Sequence, residues 1–247
     1  MPKIPRLDVR SLVRPGATAA AALLLLACAE PPAPPSSGAA SRVDDALEAV
    51  YAGLKSQGGR VLRFDPQGST VRIFAFRGGK AARLGHNHVL TAPRFRGLLY
   101  VPASGVQGVR CDLEFRLDEL QIDDPALREQ IGGVFGGSIA PEDIEATRSH
   151  MLGDDGLQAA RFPFLHVQCL QVGGELPELA ATLRIELHGK AQELTLPLQV
   201  AGLPGAATVR GAMVLRQSAF GVRPYSVFGG MLAVQDEVVI DFALRAG

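Results

Sequence analysis

From about Val61 to the C-terminus the chain is predicted to be all-β: a closed antiparallel up-and-down barrel of about eight strands, with one helical excursion and an N-terminal helix. Three observations carry this expectation. Apolar and polar residues alternate with a period of two in many separate runs. Glycine and proline clusters such as Gly173-Gly174, Gly202-Leu203-Pro204-Gly205 and Gly229-Gly230 separate those runs. Only one interior stretch, Pro141 to Leu152, reads as helix. Polar-out, apolar-in alternation over so many strands favours closure, because a closed sheet has no exposed edge. A β-sandwich is the second choice, and no internal repeat is present.

In chain order, residues 1–27 have the three parts of an export signal. Lys3, Arg6, Arg10 and Arg14 form a positive start, Ala17 to Leu26 is an uncharged apolar run, and Ala27 is a small residue before the cut. The apolar run is shorter than the roughly 20 residues that cross a bilayer as a helix. Leu25-Leu26-Ala27-Cys28 resembles the bacterial lipoprotein lipobox. That resemblance implies that Cys28 is the acylated first residue of the mature protein, held on a membrane surface. Residues 28–42 then carry Pro31, Pro32, Pro34, Pro35, Ser36 and Ser37 without apolar periodicity. Such a tether extends at about 3.1 Å per residue, or roughly 40 Å in all. Ala29 stands where an inner-membrane retention aspartate is expected, which favours the periplasmic face of the outer membrane.

Residues 43–59 hold a predicted amphipathic helix from Val43 to Lys55. Leu47, Val50, Tyr51 and Leu54 recur at helical spacing, Asp44, Asp45 and Glu48 sit near its start, and Gly58-Gly59 stops it. Residues 60–247 form the barrel domain. Val109, Cys111, Leu113, Phe115 and Leu117 alternate with charged residues in one long strand. The pattern returns in Leu183/Ile185/Leu187, in Leu194/Leu196/Leu198/Val200 and in Val238/Ile240/Phe242/Leu244. Shorter strands are predicted at 70–76, 95–101, 164–172 and 208–216. Pro141 with Glu142 and Asp143 suits a first helical turn, and the glycine-rich run 132–139 before it reads as a mobile link.

Composition excludes some functions. Residues 1–27 hold four Lys/Arg and one Asp of the 25 basic and 25 acidic residues, so the mature chain has 21 against 24 and a formal charge of −3. That balance gives no electrostatic case for nucleic-acid binding. Beyond Cys28 there are only Cys111 and Cys169, and export to an oxidising compartment makes them candidates for a disulfide.

The inward candidates are smooth and apolar: Ile73, Leu113, Phe115, Leu183, Ile185, Leu196, Met213 and Phe242. Periodicity says that they are buried, not whether they surround a hole or fill one. Four segments resemble, in the right order, the YceI-like family. They are Phe64-Asp65-Pro66-Gln67-Gly68-Ser69, Phe162-Pro163-Phe164-Leu165-His166-Val167, Leu183-Arg184-Ile185-Glu186-Leu187-His188-Gly189-Lys190, and Leu215 to Val222 followed by Val234 to Val238. The resemblance covers roughly residues 61–246. It implies a lipocalin-like antiparallel barrel that binds a long amphiphile, a polyisoprenoid or an isoprenoid quinone, in an apolar tunnel. Departures are Gly68 in place of the usual His, the missing Thr after the His188-Gly189 turn, and a long loop at 121–160.

A second reading, a metal-binding redox or stress accessory, rests on His86-Asn87-His88, since alternate strand residues share a face and two imidazoles can converge on a metal. His150, His166 or an acid would have to complete the site. Nothing points to an enzyme. No G-x-S-x-G is present, Gly136-Gly137-Ser138-Ile139-Ala140 lacking the last glycine, and no phosphate-binding glycine loop follows a strand. Asp123/Asp124, Asp154/Asp155 and Glu142/Asp143 read as solvated loop and helix-start charges. The expectation is a lipid-binding, membrane-tethered barrel with no cofactor, no catalysis and no nucleic-acid partner.

Overall fold

The computed structural model describes residues 37–247, with side chains from Asp45 onward. The signal at 1–27, Cys28 and most of the tether lie outside the described residues. Twelve strands form one antiparallel sheet: β1 (Arg60–Arg63), β2 (Thr70–Gly78), β3 (His88–Thr91), β4 (Arg96–Val101), β5 (Arg110–Arg116), β6 (Gln121–Ile122), β7 (Phe164–Glu175), β8 (Glu178–Leu187), β9 (Lys190–Ala201), β10 (Ala207–Arg216), β11 (Ser226–Val227) and β12 (Leu232–Ala246). Among the described residues three α-helices accompany them: α1 (Ser37–Ser56), α2 (Pro125–Ile131) and α3 (Pro141–Leu152). Every strand run predicted from alternation is present.

The sheet runs β1-β4-β5-β7-β8-β9-β10-β12-β2-β3-β6, with β11 paired to β12. The expected strand count is corrected, because three of the long runs are broken. Residues 64–69 separate β1 from β2, residues 92–95 separate β3 from β4, and a 3-10 turn at Leu117–Glu119 separates β5 from β6. The two ends of the sheet path, β1 and β6, are not neighbours. The free side of the β1 segment meets the end of β12. Phe64 bridges Ala246, Arg63 and Gly247 exchange hydrogen bonds of 2.9 and 3.0 Å, and the Asp65 amide donates to the Arg245 carbonyl at 2.9 Å.

The interior is one apolar cluster drawn from β1 to β10, β12 and the excursion, including Leu99, Leu113, Ile185, Leu198 and Ile240. One phase of each strand supplies it, as the alternation required. The excursion holds two helices rather than one. Asp124 caps α2 by accepting from the Leu127 amide at 2.9 Å, with Pro125 next to it. Glu142 and Asp143 occupy the first turn of α3. Ile144, Met151 and Leu152 of α3 pack on the interior cluster, so the helix covers that end of the sheet.

Helix α1 lies on the outer face of β1 and β4. Leu47, Tyr51 and Leu54 meet Val61, Leu98 and Tyr100, while Val50 is exposed, contrary to expectation. The helix begins at Ser37, so Asp44 and Asp45 fall within it rather than at its start. The Tyr51 hydroxyl donates to Asp112 at 2.7 Å, and burial together with that carboxylate pushes the phenol well above its ordinary range.

Candidate functional site

The inner face of the sheet encloses an apolar cavity of about 150 Å³ with no polar wall atom. Val109, Cys111, Leu113, Phe115 and Leu117 all line it, so the whole inward phase predicted for that strand faces the void. Ile73, Leu183, Ile185, Met213 and Phe242 line it as well. Seven of the eight inward candidates therefore meet in one place. Leu196 is the exception: it is buried in the core but does not line the cavity. It stands opposite Ala181 across the β8–β9 ladder.

Cross-strand rows build the wall. Leu113, Val167 and Ile185 stand side by side across β5, β7 and β8, and Cys111, Cys169 and Leu183 form the next row. Cys111 and Cys169 are joined in a disulfide with Cα atoms 4.9 Å apart. The bridge is part of the cavity wall. Gly211, opposite Phe242 on β10, has a specific reason to lack a side chain. A Cβ there would come within 2.8 Å of both Leu198 and the Phe242 ring.

The segments shared with the family hold the turns and do not touch the cavity, apart from Phe64 and the strand residues Leu165, Val167, Leu183, Ile185 and Leu215. Asp65 accepts from the Gln67 amide at 3.0 Å, and the Ser69 hydroxyl donates to the Asp65 carbonyl at 2.6 Å. His188 (φ 55) and Gly189 (φ 70) make the tight β8–β9 turn. The His188 ring lies edge-on to Phe162 at 5.0 Å. Asp236, in the irregular part of β12, accepts from the Ser218 amide and hydroxyl at 2.7 and 2.5 Å.

His86 and His88 do not form a metal centre. Asn87 is buried between them, His86 is exposed, and their rings are 6.4 Å apart. The His88 Nδ1 donates to Asp123 Oδ2 at 2.6 Å. The other proposed ligands lie elsewhere, His150 against Tyr225 and His166 beside Glu114. Among the described residues no three His, Cys, Asp or Glu side chains are grouped to hold a metal ion.

Sequence reasoning missed a buried polar knot at this place. Asp123 is no solvated loop charge. Its Oδ1 accepts from the Val89 amide at 3.0 Å and from Arg128 at 2.6 Å. Arg128, also buried, donates further to the carbonyls of Asn87 at 2.9 Å and Gly137 at 3.0 Å. Asn87 accepts from the Arg77 amide at 2.9 Å and donates to the Val134 carbonyl at 3.0 Å. The glycine-rich run expected to be mobile is thus pinned, with Phe135 buried against Phe74 and Phe76. Burial raises the Asp123 pKa, but the His88, Val89 and Arg128 bonds outweigh it and hold the carboxyl below its ordinary range.

An antiparallel sheet wrapped around a wholly apolar cavity is the architecture of internal-cavity binding proteins. The YceI-like domain model matches residues 64–246, and the chain belongs to the YceI-like family. The crystal structure of Burkholderia cenocepacia BcnA is similar in fold, with a TM-score of 0.53 at 17% identity, covering 74% of this chain and 99% of that one. A Campylobacter jejuni YceI protein matches with a TM-score of 0.40 at 9% identity, over 54% of this chain and 70% of that one. No curated protein sequence matches the chain.

Proposed function

We propose that the protein binds and carries an isoprenoid-type amphiphilic lipid, a polyisoprenoid or a quinone, in the bacterial envelope, without catalysis. The observation that carries this reading is the cavity: about 150 Å³, lined by aliphatic and aromatic side chains and by no polar atom. A void of that size and lining stays dry and accepts a guest of about benzene's bulk. A five-carbon isoprene unit is of that order, and a longer tail needs wall side chains such as Met213 to part. Anchoring through acylated Cys28 on the periplasmic face of the outer membrane belongs to the same proposal. The lipobox resemblance supports it, and the Cys111–Cys169 bridge suits an oxidising compartment. Among the described residues no helix is long and apolar enough to cross a membrane.

The test is mass spectrometry of organic extracts from the purified protein, with Ile185→Trp beside the parent. In a filled core that enlargement costs about 1–3 kcal/mol. Here the added ring enters the void, so the variant should lose its co-purifying lipid while the melting temperature of lipid-free protein barely moves. A parent that carries no lipid, or a variant that keeps it, would defeat the reading.

A further inference from the structure

We infer that the end of the sheet formed by residues 79–87, 132–136 and 225–231 is a docking face for an anionic bilayer surface. Phe228 is 82% exposed, Leu84 73% and Val134 68%, with Met231 and Tyr225 exposed beside them. Hydrogen bonds join these three segments into one surface. The Ala81 amide donates to the Met231 carbonyl at 2.7 Å, and Asn87 donates to the Val134 carbonyl at 3.0 Å. Phe228 sits at φ 51, a conformation that a bulky residue rarely adopts, and leaves most of its side chain exposed. Exposed apolar residues gathered on one patch mark an interaction site.

Charge identifies the occupant. Residues 77–88, 132–140 and 223–235 contain Arg77, Lys80, Arg83 and Arg223 but no Asp or Glu, in a chain whose formal charge is zero. Lys80 and Arg83 lie just before the exposed Leu84 and pair with no carboxylate among the described residues. Arg77 donates to the Gly85 carbonyl and shapes the loop. Arg223 shares a polar recess with Asp154 and Asp155, so the free field comes chiefly from Lys80 and Arg83. Apolar tips with two free cations beside them suit the boundary between acyl chains and anionic headgroups. The inference adds a loading face to the proposed carriage but does not depend on which lipid the cavity holds.

The chain has no tryptophan, so Phe228→Trp in the full chain places a single reporter on this face. Leu176→Trp does the same at the β7–β8 turn, at the other end of the sheet. The two variants are mixed with phosphatidylcholine/phosphatidylglycerol vesicles whose acyl chains are brominated. F228W should shift to the blue and lose about half or more of its emission, as a residue buried in the acyl boundary would, while L176W keeps its emission. K80E/R83E in the F228W background should abolish the quenching, as should pure phosphatidylcholine or high salt. Equal quenching at both positions, none at F228W, or a blue shift that grows with protein concentration without vesicles would overturn the inference, the last by assigning the face to a second copy. Failure here with lipid still co-purifying leaves the carriage reading standing, and quenching in a protein that carries no lipid leaves only the docking.

Discussion

Arg128→Met is expected to lower the free energy of unfolding by about 3–5 kcal/mol, the usual cost of removing one partner of a buried ion pair. The reason is that Arg128 places its guanidinium on the buried Asp123, beside the His88 ring, and also satisfies the carbonyls of Asn87 and Gly137. Methionine matches the stem's bulk but leaves the buried carboxylate with the His88 ring and the Val89 amide alone, and takes the guanidinium donor from two carbonyls. For a domain of this size that loss corresponds to a fall in melting temperature of roughly 6–20 °C. Arg128→Lys should recover only part of it, since one ammonium cannot reproduce a guanidinium held at several acceptors. A urea midpoint within experimental error of the parent would show that the knot carries no stability. The pH dependence has a definite sign. The Asp123 carboxyl is held below its ordinary range, so its contribution is complete above about pH 4, the unfolded value. It is lost as the pH falls through the lower folded value. Asp123→Asn should remove that acid-limb dependence along with the stability it represents.

Removing the disulfide is expected to cost about as much. The bridge closes a separation of 58 residues, for which the chain-entropy relation gives about 4 kcal/mol. Cys111→Ala/Cys169→Ala and the reduced parent should therefore unfold at similar, lower urea concentrations. The double variant should retain its lipid, because two alanines leave the cavity apolar and slightly wider. Identical midpoints with and without reductant would show that the bridge constrains nothing. Two free thiols in the denatured, unreduced parent would show that it does not form.

Much of this molecule was legible in its sequence because period-two alternation is a local signal. In the 109–117 run it named five residues, and all five line the cavity. What alternation cannot give is depth along the strand. Leu196 shares the inward phase of β9 but faces Ala181 and fills the core rather than bounding the void. Helix α2 is too short to show a period, yet Asp124-Pro125 carries the same start signal that betrayed α3 at Pro141. The Asp123–Arg128–His88 knot was invisible for a different reason. Its members come from β3, the β6–α2 turn and α2, and nothing in their spacing distinguishes a buried carboxylate from a solvated one. The metal reading finds no third ligand for the same reason, because the acid beside His88 is already held by an arginine.

The position of the bridge has one more consequence. Cys111 and Cys169 stand on adjacent strands, yet the chain between them contains α2, α3 and the turns around them. A protease that nicks the chain in residues 123–163 therefore produces two fragments tied through sulfur beneath the cut. They should migrate as one species until reductant is added. The cover over this end of the sheet can thus be severed without the wall coming apart, and limited digestion becomes a way to ask what the cover contributes on its own.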